Sequence, residues 1–203
     1  MDIKSVKSKF PIFKNKINDK PLIYLDSANS SQKPKTVIDR ISKFYSKEFS
    51  NIGRSVHSLA VTATNRFEET RDMMQKFINA KHREEIIFTK NATEAINLIA
   101  STYGDKFIKE GDEIIITELE HHANYVPWHF IRQKKGAIIK FAKCNDKGEV
   151  EIDEIKKLIT NKTKIIAITH LSNVTGAIMP IKKIVDLANE KKIPVLVDGC
   201  QGA

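Results

Sequence analysis

Cysteine is nearly absent: Cys144 and Cys200 are the two in 203 residues, and they stand far apart. That excludes a disulfide framework and a C-x-x-C metal pair, and it makes a reducing cytoplasm the expected location. No apolar run approaches the length that spans a bilayer, and the opening MDIKSVKSKFPIF lacks the apolar stretch of a signal peptide. Neither a membrane partner nor export is expected. Arginine is scarce as well, since 28 of the 34 basic residues are lysines spread along the chain. The formal charge of +9 therefore lacks the bidentate side chains that read phosphate and bases, and no nucleic-acid partner is expected. Internal repeats and low-complexity linkers are also missing. What is present, 41% hydrophobic and 29% charged residues, suits a soluble globular chain long enough to bury a core.

Apolar periodicity alternates between short runs and helical stripes, the pattern of an α/β architecture with a mostly parallel, doubly wound sheet. LIYLD at 22–26 reads as a short strand, followed by helical spacing over 36–49 and 64–78. The alternation then becomes regular. Strands are predicted at 85–88, 113–117, 137–141, 164–169 and 194–198, with helices near 93–102, 125–134, 153–160 and 181–191 between them. NDKGE at 145–149 supplies a turn. This divides the chain into a leading segment, 1–79, and the first part of an α/β domain, 80–203, with no boundary inside the second.

Unusual polar residues collect just after four of these strands: TKNATEA (89–95), ELEHHAN (118–124), THLSNVTG (169–176) and DGCQG (198–202). In a doubly wound sheet the carboxyl ends of the strands face one crevice, so these segments would converge on a single ligand. In the first, Asn91 can cap a helix while Glu94 reaches back, leaving the N–H groups of Ala92 and Thr93 to face an anion such as phosphate. A plain capping box accounts for the same residues. The glycines of a P-loop or dinucleotide fingerprint are missing there. In the second, the H-E-x-x-H spacing of a zinc helix is absent, so no metal is expected. One imidazole could stack on a flat ring and move protons, although the spacing alone favours a structural histidine.

Asp198 follows a buried-type strand, VLV, and a buried carboxylate needs a cationic or donor partner. A ligand with a protonated ring nitrogen would provide one, while Asn173 and Gln201 could donate to a ring oxygen. A phosphate, a flat ring, a ring nitrogen and a ring oxygen together describe pyridoxal phosphate.

Five stretches, YLDSANSSQKP, NATEAINLIA, EHHANYVPW, THLSNVTG and VLVDGCQGA, together resemble the pyridoxal-phosphate-dependent cysteine desulfurases of the SUF type, within the class V aminotransferase family. The resemblance runs in order along essentially the whole chain. It implies the large-domain fold of fold type I pyridoxal-phosphate enzymes, with Ala92 and Thr93 on the cofactor phosphate, His121 stacked on the ring and moving protons, Asn173 and Gln201 at the ring hydroxyl, and Asp198 at the ring nitrogen. It places Ala28, Asn29 and Arg54 near the substrate. The implied reaction takes sulfur from L-cysteine, leaving alanine and a persulfide that passes to an acceptor protein for iron–sulfur cluster assembly, in a homodimer. Another class V enzyme, such as a selenocysteine lyase or an aminotransferase-like lyase, would share these cofactor motifs, and an inactive cofactor-binding remnant would keep them too.

The family pattern continues beyond what these 203 residues contain, through an SGHK segment with the lysine that anchors the cofactor and a later loop with the nucleophilic cysteine. The resemblance thus implies an amino-terminal half that is inactive alone. Cys200 stands where the family has a small residue and reads as a buried packing cysteine. NIGRSVH at 51–57 departs from the family's HRGxH, with Gly53 in place of histidine and Ser55 in place of glycine, and Asn29 replaces a small residue.

Overall fold

The computed structural model describes residues 2–202. The chain divides into two compact units, one up to Phe88 and one from Thr89 onward. In the first, Asp2 caps helix α1 (Ile3–Ser8) through bonds from the N–H groups of Lys4 and Ser5. A small hairpin follows, β1 (Lys16–Ile17) against β2 (Lys20–Pro21). Its two-residue turn places Asn18 and Asp19 at positive φ, 51° and 60°, which these short polar side chains tolerate better than most. Helix α2 (Lys35–Lys43) runs on through a π-turn at Phe44–Glu48, and α3 spans Ser58–Phe77, close to the two helical stretches expected.

Two expected strands are not strands. Residues 22–26 join no ladder, and Ile23 and Leu25 are exposed. The Tyr24 hydroxyl instead donates to the carbonyl of Ser30. Residues 83–85 form a 3₁₀ turn and 86–88 run on without a paired neighbour among the described residues. What holds that segment is Arg71, whose guanidinium donates to the Ile86 carbonyl and lies 5.2 Å from the ring centroids of both Phe67 and Phe88. Apolar runs this short show the same alternation whether or not a ladder partner exists.

The second unit carries the regular alternation. Helix α4 (Ala92–Ile99) continues through a π-turn at Ala100–Gly104 into the short α5 (Asp105–Phe107). Then come β3 (Glu113–Thr117), α6 (His122–Lys135), β4 (Ile138–Ala142), α7 (Ile152–Leu158), β5 (Thr163–Thr169), α8 (Ile181–Glu190) and β6 (Val195–Asp198). The four strands are parallel in the order β4-β3-β5-β6. Because strand side chains alternate faces, β3 and β5 feed two cores. Ile114, Ile116, Ile165 and Ala167 pack with Trp128 and Ile131 of α6 on one side. Ile115, Ile166 and Ile168 pack with Ile155 of α7 and Ile184 of α8 on the other. Helices on both faces explain why these strands read as continuous apolar runs. The order also fixes a switch point between β3 and β5, where the chain steps out to β4 and returns on the opposite side. Crevices at such points are where open α/β sheets hold ligands.

At the amino edge of the sheet the buried Glu113 carboxylate meets Lys140 Nζ at 2.8 Å, Thr160 Oγ1 at 2.6 Å and Thr163 Oγ1 at 3.2 Å. Among the described residues no helix is long and apolar enough to cross a membrane.

Candidate functional site at the carboxyl edge of the sheet

Three of the four polar segments meet at the carboxyl edge. Thr169 of β5 is in register with Asp198 of β6, and the His170 N–H donates to the Asp198 carbonyl at 2.8 Å. After Thr169 the chain folds into a tight hairpin closed by the Leu171–Ile178 bridge. The Ser172 hydroxyl accepts the N–H groups of Val174 and Thr175 there, and exposed Asn173 sits on the turn. After Thr117 of β3 comes the start of α6, so β3, β5 and β6 bring His121, Asn173 and Asp198 to the same edge.

Asp198 is 7% exposed. Its Oδ1 accepts the Cys200 N–H at 3.0 Å, and no lysine, arginine or histidine among the described residues pairs with it. Gln201, half-buried in the turn that follows, is two residues on from Gly199. Cys200 is exposed, which corrects the expectation of a buried packing residue: it lies in the turn after β6 rather than within the strand. Its thiol is nonetheless pushed up to about 11, first by partial desolvation and then by the neighbouring Asp198 carboxylate.

The two histidines open helix α6, three residues ahead of the start expected near 125. His121 is the N-cap of α6, with extended backbone, and His122 its first residue, and their rings meet edge-on with centroids 6.1 Å apart. The His121 Nδ1 accepts the Ala123 N–H at 3.1 Å. With Nδ1 an acceptor, the neutral imidazole carries its proton on Nε2.

Asn91 caps α4 as expected, accepting the Glu94 N–H at 2.9 Å, and Glu94 reaches back to the Lys90 N–H at 2.6 Å. The N–H groups of Ala92 and Thr93 precede the first intrahelical acceptor and have none within the helix. Helix α4 packs beside α6. Ala28, Asn29 and Arg54 lie in the first unit. Ala28 and Asn29 occupy a turn in which the Asn29 amide donates to Asp26 Oδ2 at 3.3 Å, and Arg54 is exposed in the loop before α3.

Sequence reasoning missed Glu120. Its Oε1 accepts the Thr117 hydroxyl at 2.6 Å and the Thr169 N–H at 2.9 Å, and its Oε2 accepts the Asn124 amide at 2.7 Å. Fully buried Asn124 in turn accepts the Trp128 indole N–H at 3.2 Å. Burial pushes the Glu120 carboxyl above its ordinary value. The three hydrogen bonds oppose that shift, and the charge on Asp198 adds to it. The i, i+4 spacing to Asn124 was the one available signal, visible only once the start of α6 is known.

An aminotransferase class-V family model matches residues 23–203. Among curated proteins, a cysteine desulfurase of Wigglesworthia glossinidia brevipalpis is 48% identical over 98% of this chain and 49% of its own length. A cysteine desulfurase of Synechococcus elongatus is 44% identical over 98% of this chain and 32% of its own. Among solved structures, an Escherichia coli cysteine desulfurase superposes with a TM-score of 0.86 at 33% identity, over all of this chain and 49% of that one. The chain spans 29% to 50% of the length of the curated relatives it matches.

Proposed function

The chain belongs to the aminotransferase class-V family, and from that premise we propose that it contributes the cofactor-binding sheet edge of a pyridoxal-phosphate-dependent cysteine desulfurase. The observation that carries this reading is Asp198. A buried carboxylate with a backbone N–H as its hydrogen bond and no cationic side chain paired with it among the described residues is costly unless a ligand brings the positive charge. A protonated pyridine nitrogen is such a group. The other residues at hand fit the rest of the cofactor: the Ala92 and Thr93 N–H groups suit a phosphate, and the exposed His121 ring suits stacking. Asn173 and Gln201 are the candidates for the ring hydroxyl.

When bound, pyridoxal phosphate supplies an electron sink for a substrate carbanion. The protein's part is positional and protic. Asp198 would hold a proton on the ring nitrogen, and α4 would orient the phosphate end. His121, with Nδ1 committed to Ala123, would have Nε2 available to give and take a proton. Ala28, Asn29 and Arg54 are the substrate-side candidates. The resemblance of the five motifs to the SUF type supports L-cysteine as substrate, alanine and a persulfide as products, a homodimer, and an acceptor protein that takes the sulfur toward iron–sulfur clusters.

The test is to purify the complete gene product, add pyridoxal phosphate and L-cysteine, and assay alanine, pyruvate and protein-bound persulfide. Alanine and persulfide in equal amounts are expected. Cofactor binding accompanied by pyruvate or a transaminated product, without persulfide, overturns the desulfurase reading.

A further inference from the structure

The β3–β5 ladder does not run to the carboxyl edge. Its register ends at Ile115 opposite Ile166, and beyond that point the strands part at the switch point of the sheet. The Thr169 N–H, which a continuing ladder would direct to a β3 carbonyl, is taken by Glu120 Oε1 instead. The same carboxylate holds Thr117 at the end of β3 and Asn124 in the first turn of α6. One side chain therefore ties two strand ends and a helix start where the backbone leaves a gap, and the next residue in the chain is His121.

We propose that Glu120 is a positioning residue, whose carboxylate closes the switch-point gap and thereby fixes the His121 imidazole and the end of β5 beside Asp198. The part concerning the cofactor rests on the function proposed above. The groups that face Glu120 are Thr117 from β3, Thr169 from β5 and Asn124 from α6, and Asp198 of β6 is the charge that acts on it. The donor pattern makes the role specific. Trp128 can only donate, so its bond fixes the Asn124 carbonyl toward the indole and the Asn124 amide toward Glu120. Glu120 must then accept on both oxygens.

That requirement yields a paired test. In Glu120→Gln the new amide meets either the Asn124 amide or the Thr169 N–H, donor against donor, and one bond is lost. Adding Asn124→Asp restores every bond, because the carboxylate at 124 accepts both the amide at 120 and the Trp128 indole. In the complete gene product we would record the Trp128 indole and His121 imidazole resonances, each assigned by its loss on substitution. Thr169 amide exchange and the dissociation constant for pyridoxal phosphate complete the set. Glu120→Gln should shift both resonances, speed Thr169 exchange and weaken cofactor binding about tenfold. The double variant should return all four toward wild type, with affinity within about twofold. A Glu120→Gln protein that loses thermal stability while its His121 resonance and cofactor affinity stay unchanged would make Glu120 merely structural. If the single variant is too unstable to purify, the double variant decides, and its failure to recover overturns the proposal. A wild-type protein that binds no pyridoxal phosphate would sink the proposed function, and the His121 and Thr169 signals would still decide the role of Glu120.

Discussion

Replacing Glu113 with alanine should destabilise the protein by about 2–3 kcal/mol at neutral pH. Glu113 is 7% exposed, and its carboxylate accepts from Lys140, Thr160 and Thr163 at the amino edge of the sheet. Hydrogen bonds to a charged group contribute roughly 1.5–3 kcal/mol each, and breaking a buried ion pair costs about 3–5 kcal/mol. The expected loss falls below the sum because the partners keep other contacts. Lys140 Nζ still donates to the Leu158 carbonyl, and both hydroxyls still accept backbone N–H groups from Lys162 and Thr160. The pH dependence follows from the same contacts. Burial works to raise the Glu113 carboxyl, but the bonds from Lys140, Thr160 and Thr163 outweigh it and hold the group below its ordinary 4.5. A carboxylate whose pKa is depressed by folding contributes stability above its unfolded value and loses it as pH falls through the folded one. The gap between wild type and Glu113→Ala should thus be constant from pH 8 to 5 and narrow below about 4.5. Urea unfolding at several pH values measures it, read as a midpoint shift at constant slope. A loss under about 1 kcal/mol, or a gap that stays unchanged down to pH 3, would refute the assignment of this cluster.

Cys200 should alkylate slowly at pH 8 despite its exposure, because its thiol is pushed up to about 11. In Asp198→Asn its apparent pKa should fall yet stay above the ordinary 9.0, since desolvation, the larger cause, remains. An alkylation profile with Cys144→Ser checks both. His121→Asn keeps an acceptor for the Ala123 N–H and should hold stability within about 0.5 kcal/mol. In the complete gene product, under the proposed function, turnover of L-cysteine should drop by roughly 10²–10⁴-fold, the share of a positioned proton-transfer group. Equal losses of stability and activity would assign His121 to capping alone.

The legibility of this chain depended on whether the information was local. Strands β3 and β5 were read within a residue of their observed ends because burial on both faces writes an unbroken apolar run. The Asn91 cap was legible because its partners lie within four residues. The runs at 22–26 and 85–88 look like strands for the same apolar reason, yet a strand exists only where a neighbour takes its N–H and C=O groups, and that depends on distant chain. Glu120 was invisible because Thr169 reaches it only through the sheet order, and the local spacings to Thr117 and Asn124 carry a signal only once the start of α6 is known. His121 showed its type but not its role as a helix cap, since histidine is an uncommon choice there.

The most direct test of the central claim is the protonation state of the cofactor ring. The complete gene product should be loaded with pyridoxal phosphate carrying ¹⁵N in the ring, and its nitrogen resonance compared between wild type and Asp198→Asn at neutral pH. A protonated ring nitrogen in the wild type and an unprotonated one in the variant is the predicted result. A ring nitrogen unprotonated in the wild type, or protonated equally in both, would contradict the assignment of Asp198 and of this sheet edge as the cofactor site.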